Sequence, residues 1–258
     1  GYEDPPLILG KNDLHDFEPT LSPAVQAGVW VKEERHVRPE TLTVGVAEWL
    51  DERGVELHTG TEVCGIRRRG RRATTVETRV GEFDADQVLI AAGAWSGQVA
   101  KLAGFRLPIT AGKGYNMTLY DPKLEPQHAI YVVEKRIAVS PFNGALRMSG
   151  TMELSGVNTY LDPKRVGAIR SGANRYFGHW ERGSRETTWT GMRPMAPDGL
   201  PVIGKAPGYE NLWVSSGHAM MGISLGPATA QVTADLMTTG STRMDTRPFD
   251  PGRFGLIG

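Results

Sequence analysis

The stretch Leu212-Trp213-Val214-Ser215-Ser216-Gly217-His218-Ala219-Met220-Met221-Gly222-Ile223-Ser224 decides how the rest of the chain is read. Its first five residues carry no charge, as a short strand in a parallel sheet does. A glycine-bearing loop follows, then a helix predicted to run to about Thr238, with Val232 and Leu236 on one face and Gly240 at its end. Glycines at 217 and 222 let backbone approach a ligand closely. The helix behind them offers unpaired N–H groups and the positive end of a dipole. Such an end stabilises negative charge by ~0.3–1 kcal/mol when exposed and up to ~2 kcal/mol when partly buried. A tight strand–helix connection needs the same small residues, and spacing alone does not separate the two readings.

A second unit of this kind lies upstream. Val88-Leu89-Ile90-Ala91-Ala92 has no polar residue and reads as a strand buried on both faces. It ends in Gly93-Ala94-Trp95-Ser96-Gly97, where Ser96 is placed to cap a short helix carrying Val99 and Leu102, stopped by Gly104. Ordinary strand–helix packing would explain this segment equally well.

Between the two units the texture changes. Ile109–Tyr120, His128–Glu134, Arg136–Phe142 and Ala145–Leu154 are strand-like and separated by turn residues, Asn143-Gly144 among them, a hairpin signal. Asp162-Pro163 opens a helix with Val166, Ile169, Ala173 and Phe177 inward, and a strand follows at Glu186–Met192. Ahead of both units, residues 1–37 read as loop, broken by Pro5-Pro6, Pro19 and Pro23. A helix starts at Pro39 with Leu42, Val46, Trp49 and Leu50 as an apolar stripe and Gly54 as its stop. Val55–Thr59 alternates as a strand, and Glu62–Arg69 with Ala73–Val80 reads as a hairpin around Gly70. The predicted class is α/β (α+β), with parallel-sheet material bracketing a mainly antiparallel middle. The expected divisions are residues 1–104, 105–190 and 191–258.

Bulk properties exclude several functions. The 258 residues are 40% hydrophobic and 22% charged, an ordinary globular mixture able to bury a core. Lys+Arg and Asp+Glu balance at 29 each, so no net field points to nucleic acid or an anionic membrane. The basic run Arg67-Arg68-Arg69, continued by Arg71-Arg72, reads as a solvated hairpin tip. The lone Cys64 rules out an internal disulfide and sits in an apolar–polar alternation, so a buried inert thiol is expected. The six histidines lack metal-ligand spacing, so no metal site is expected. No apolar run reaches the ~20 residues that span a membrane.

A further segment runs Gly191-Met192-Arg193-Pro194-Met195-Ala196-Pro197-Asp198-Gly199-Leu200-Pro201-Val202-Ile203-Gly204. An arginine emerging from a strand before a proline-fixed turn has a rigid platform. Its guanidinium can hold a carboxylate through two parallel hydrogen bonds. An arginine paired within the structure, or lying in solvent, has the same sequence. The sequence contains no G-x-G-x-x-G, P-loop or G-x-S-x-G.

Taken together, these segments resemble the D-amino-acid oxidase superfamily of FAD enzymes, with bacterial D-amino-acid dehydrogenases and glycine or sarcosine oxidase-like proteins nearest in pattern. Val88–Ser96 is similar to that family's strand end "ATGAWS", Gly191–Gly204 to its "GxRPxxPDGxPxIG", and Gly217–Ser224 to its terminal flavin-facing loop. Pro108–Leu119, with Lys113-Gly114-Tyr115, resembles the start of the dehydrogenases' substrate sheet.

The resemblance implies an incomplete FAD-binding Rossmann-like domain with an inserted, mainly antiparallel substrate-domain sheet. It implies hydride transfer from the CH–NH group of a D-amino acid or related small-molecule amine to FAD. Carried over residue by residue, it places Val63 at the adenine edge and Ala92, Gly93 and Trp95 along the cofactor channel. Met220, Met221, Gly222, Ile223 and Ser224 fall in the loop whose N–H groups face the flavin, and Arg193 on the substrate carboxylate. His218 matches a loop position, and Tyr115 and Tyr131 are the tyrosines weighed as substrate contacts. Glycine oxidases often carry Arg-Asn where this chain has Met220-Met221, which argues against glycine as substrate.

The family's G-x-G-x-x-G unit would lie ahead of Gly1. The expected object is therefore the carboxy-terminal part of such an enzyme, inactive alone and holding a substrate site without stably bound FAD. A non-catalytic fragment, or a subunit whose partner supplies that unit, is the alternative. Surface exposed by the truncation is expected to drive self-association. The resemblance implies a cytoplasmic location, with peripheral docking on the inner membrane known in the dehydrogenase branch.

Overall fold

Proline and glycine punctuation sets the element boundaries of the computed structural model, which describes residues 3–123, 125–177 and 185–255. The opening residues depart from the predicted loop: β1 (Leu7–Gly10), α1 (Lys11–Phe17) and β2 (Ala27–Trp30) fit between the prolines rather than across them. β1 and β2 pair antiparallel, Ile8 opposite Val29. α2 (Pro39–Asp51) starts at the predicted proline, but none of its residues is buried, so its apolar stripe meets no core. The predicted strand at Val55–Thr59 does not form. There Gly54, at φ 76, reverses the chain, and the Val55 N–H returns to the Leu50 carbonyl at 3.1 Å.

β3 (Val63–Arg69) and β4 (Arg72–Thr78) make the predicted hairpin around Gly70, and β5 (Glu82–Asp84) adds to β4. Arg67 at its tip is paired with Glu77 and Glu82. Cys64 is exposed rather than buried. The register of β3 shifts between Val63 and Gly65, and such a bulge breaks the alternation on which the buried expectation rested.

The remaining elements are β6 (Val88–Ile90), a 3-10 turn at Gly93–Trp95, α3 (Ser96–Leu102), β7 (Thr110–Tyr120), β8 (Ile130–Val132), β9 (Ile137–Pro141), β10 (Ala145–Glu153), α4 (Pro163–Ala173), β11 (Arg185–Met195), β12 (Val202–Lys205), β13 (Leu212–Ser216) and α5 (Gly222–Thr239). They gather into two discontinuous compact units. One comprises Gly1–Trp49, Gly114–Glu153 and Thr159–Gly191; the other comprises Leu50–Lys113, Leu154–Asn158 and Met192–Gly258. Residues 1–49 cluster with the antiparallel sheet because α1 contributes Leu14 to that sheet's core.

The first unit is built on a five-stranded sheet in the order β11-β7-β10-β9-β8. Asn143 and Gly144, both at positive φ, turn β9 into β10 as predicted. Tyr115, Met117, Val139, Leu146, Met148, Ile169 and Phe177 form its core. α4 opens with the Asp162 side chain accepting from the Lys164 N–H at 2.9 Å. It packs so closely that a Cβ on Gly172 would lie 2.5 Å from Ile137 Cδ1. Within β10, Thr151 takes φ 53. Gly150 faces Ile137 and Ile169, and Glu153 pairs with Arg165 of α4.

The second unit holds the sheet β12-β13-β6. β13 runs parallel to β6 and antiparallel to β12. Leu212, Trp213 and Val214 are all buried, as the charge-free reading requires. β6 differs: Val88 and Ile90 are buried but Leu89 is 39% exposed, so only one face is covered. Ile66, Val88, Ile90, Ala100, Phe105, Val202, Leu212 and Val214 make this core. Among the described residues no helix is long and apolar enough to cross a membrane.

Candidate functional site

β6 and β13 are parallel neighbours, so their carboxyl ends open side by side. Ligands in open α/β sheets bind outside such ends. Each strand leaves through a turn that needs an unusual backbone. Gly93 has φ 52, and a Cβ placed on it would meet no atom within 4 Å, so the first turn presents an open surface. Gly217 has φ 82, and a Cβ there would approach Ile109 Cδ1 to 3.1 Å, so only glycine fits.

Hydroxyls tie the two turns together. Ser96 Oγ donates to Ser216 Oγ at 2.9 Å, and Ser216 Oγ donates to the Gly93 carbonyl at 3.1 Å. This corrects the expected role of Ser96. It starts α3, but its side chain makes this cross-strand bond, and the residue at the N-cap is Trp95.

The loop after Gly217 is pinned to the end of β11. Ala219 donates its N–H to the Pro194 carbonyl at 2.9 Å, and Met195 bridges His218. Ala219 takes φ 50, a conformation costly for a residue with a Cβ. Met221 N–H donates to His218 O, and Leu225 N–H closes the first helical turn on Met221 O, both at 2.9 Å. Gly222, Ile223 and Ser224 are thus the first three residues of α5, whose N–H groups have no intrahelical acceptor. Met221 at the N-cap supplies no side-chain acceptor. All three residues are exposed.

Arg193 stands one residue before that pin. Its Nη1 is buried with no hydrogen-bond partner among the described residues. Burial alone lowers the pKa of its guanidinium from the ordinary arginine value. Leaving such a donor unsatisfied costs about 1–3 kcal/mol, more when charged, so an incoming carboxylate would remove a standing penalty. His218 has Nε2 3.0 Å from Thr229 Oγ1, and burial depresses its pKa.

Trp95, Met220, Met221 and Ile223 are exposed apolar side chains on these same turns. A flat aromatic ring that becomes anionic on reduction suits this set: apolar side chains for its faces and helix N–H groups for its charge. FAD therefore fits the residues present.

The predicted site residues separate into groups. Ala92, Gly93 and Trp95 join Met220–Ser224 through the serine pair and the parallel strands, and Arg193 joins them through Pro194 and Ala219. Val63, half-buried at the start of β3, lies in the separate sheet β3-β4-β5. Tyr115 is fully buried with its hydroxyl on Glu153 Oε1 at 3.0 Å, and Tyr131 is exposed on β8. Sequence reasoning missed the Ser96–Ser216 pair and the strained Ala219. Nothing local marks them, since the serines lie 120 residues apart.

The family model described as DAO, FAD dependent oxidoreductase, matches residues 1–236. A glycine oxidase of Pseudomonas aeruginosa is 32% identical over 234 residues, covering 90% of this chain and 64% of that protein. A D-amino acid dehydrogenase of Cereibacter sphaeroides is 36% identical over 198 residues, covering 76% of this chain and 45% of that protein. The chain thus spans less than two thirds of the length of these relatives. Among solved structures, glycine oxidase from Geobacillus kaustophilus superposes with a TM-score of 0.90 at 27% identity, over 99% of this chain and 68% of that one. L-proline dehydrogenase from P. horikoshii, at 20% identity and a TM-score of 0.85 over 97% of this chain and 69% of that one, shares the fold.

Proposed function

Since the chain belongs to the DAO family of FAD-dependent oxidoreductases, we propose that it forms the flavin-ring and substrate part of an enzyme oxidising the CH–NH group of a D-amino acid or related amine. The observation that carries this reading is the buried Arg193 Nη1, unpaired among the described residues, on a strand end that the Ala219–Pro194 bond ties to the loop opening α5. FAD, held by these residues, would supply a two-electron oxidant for the substrate's CH–NH group.

The chain's own residues bind, orient and stabilise. Arg193 holds the substrate carboxylate and so limits the directions its Cα–H can take. The N–H groups of Gly222, Ile223 and Ser224 lower the energy of negative charge on the cofactor. Met220, Met221 and Trp95 supply apolar cover, while Ala92 and Gly93 shape the channel and Val63 the adenine edge. No side chain need act as acid or base at the carbon. The unit around β6 and β13 holds both the cofactor residues and Arg193.

The G-x-G-x-x-G unit that grips the FAD pyrophosphate is not among these 258 residues. That grip is assigned to other residues of the same polypeptide or to a partner chain. The second arrangement is the alternative function, a subunit inactive on its own. Self-association through exposed apolar surface and a cytoplasmic location, free or peripheral to the inner membrane, complete the proposal.

The test is expression of the complete coding region, assayed for bound FAD and substrate-dependent dye reduction. A flavin-free, inert protein would sink the reading. Flavin absorbance of the 258-residue chain alone tests the partner-dependent alternative, because stoichiometric yellow colour would contradict it.

A further inference from the structure

We propose that Ser216 is a positioning residue for the cofactor, acting through a one-directional hydroxyl relay, Ser96 to Ser216 to the Gly93 carbonyl, that locks the two ligand-facing turns into one surface. This rests on the flavin reading above.

Three observations carry it. Ser96 and Ser216 are almost fully buried, at 0% and 3% exposure, so neither hydroxyl can exchange its partner for water. Their bonds run in one sense, each hydroxyl donating onward, and end on a carbonyl rather than on another side chain. That carbonyl belongs to Gly93, whose left-handed backbone has no neighbour to hold it from the open side.

A peptide group is planar, so fixing its oxygen fixes the whole Gly93–Ala94 plane. The Gly93 carbonyl also accepts from the Ser96 N–H inside its own turn, so the Ser216 hydroxyl is the bond that ties this carbonyl to the second turn. Without that hydroxyl the first turn would keep its internal bond and lose this tie to the second. The second turn is held independently, by the Ala219–Pro194 bond and by Gly217 against Ile109. The relay is therefore the polar link by which the rigid turn orders the freer one. Ser96 serves this link at the expense of capping α3, which begins without a side-chain cap.

The experiment compares FAD binding and the visible circular dichroism of bound flavin in the complete protein, in the wild type and in Ser216→Ala, Ser96→Ala and Ser216→Thr, well below each variant's unfolding temperature. Ser216→Ala should weaken FAD binding about tenfold, the scale of one buried hydrogen bond, and alter the flavin dichroism. Ser96→Ala leaves the bond to Gly93 in place and should weaken it less. Ser216→Thr keeps the hydroxyl and should restore binding toward the wild type. If Ser216→Ala only lowers the unfolding temperature, with affinity and dichroism unchanged, its role is structural and the proposal falls. A wild-type protein that takes up no flavin would overturn the flavin reading and this inference together; equal binding by wild type and Ser216→Ala would overturn this inference alone.

Discussion

Ala219 donates its backbone N–H to the carbonyl of Pro194 at 2.9 Å, so the loop that starts α5 and the strand end that carries Arg193 are one rigid piece. The bond holds Ala219 at φ 50, where a Cβ is strained. Ala219→Gly should be neutral or stabilising. Ala219→Val, β-branched in the same conformation, should destabilise by about 1–2 kcal/mol. Urea denaturation of both variants measures the difference; equal midpoints would show that the loop relaxes elsewhere.

Arg193 is half-buried with its Nη1 unpaired among the described residues, so it should act oppositely on stability and on catalysis. Arg193→Met removes an unsatisfied buried charge and should raise the stability of the ligand-free chain by about 1–3 kcal/mol. The same change in the complete enzyme should raise KM sharply for amines that carry a carboxylate. Arg193→Lys should not rescue, because a point charge cannot form the paired bonds of a guanidinium. Unchanged kinetics in Arg193→Met would remove it from the site.

His218 makes stability depend on pH. Burial depresses its pKa in the folded state, whereas the unfolded chain titrates near the ordinary imidazole value of about 6.5. The folded form therefore binds fewer protons between the two values. The contribution of the neutral ring is fully present above the unfolded value and is lost as pH falls toward and through the lower folded one. Denaturation of wild type and His218→Gln from about pH 7.5 to about pH 5.5 should show a steeper acid loss in the wild type. Parallel curves would place the pH dependence on other groups.

Glu18 is 2% exposed and accepts from Thr20 Oγ1 at 2.5 Å, Gln127 N–H at 2.9 Å and His128 N–H at 3.1 Å, with His128 Nδ1 also 3.1 Å away. Glu18→Ala strands these donors and should cost about 3 kcal/mol in the sheet-bearing unit. Proteolysis near residues 125–130 offers the readout, and faster cutting in the variant is the expected result.

α2 displays Leu42, Val46 and Trp49 to solvent with nothing buried beneath them. The 258-residue chain should self-associate at high concentration in sedimentation experiments, and Trp49→Glu should shift it toward monomer. A monomeric wild type would count against this.

Much of the fold was legible from pattern. The hairpins at Gly70 and Asn143-Gly144, the capped start of α4 and the glycine stop of α5 depend on residues a few positions apart, and each forms close to its predicted place. Arg193 and the Gly222–Ser224 turn were legible as candidates because strand ends and glycine loops announce themselves locally. Three of the errors share one cause. Cys64, Ser96 and Leu89 were assigned from neighbouring sequence, but a bulge, a distant hydroxyl and an uncovered sheet face decided their surroundings.

By itself, then, the sequence determined the alternation of element types, the small residues at both turns and the arginine poised at a strand end. These follow from backbone sterics and hydrophobic period, which act over a few residues. Only the tertiary structure decided that Ser96 would meet Ser216 across 120 residues, that Pro194 would hold Ala219 in a strained conformation, and that Arg193 would be buried with a donor unpaired. Those facts depend on which polar groups lose water together when separate elements pack, and no local pattern encodes that.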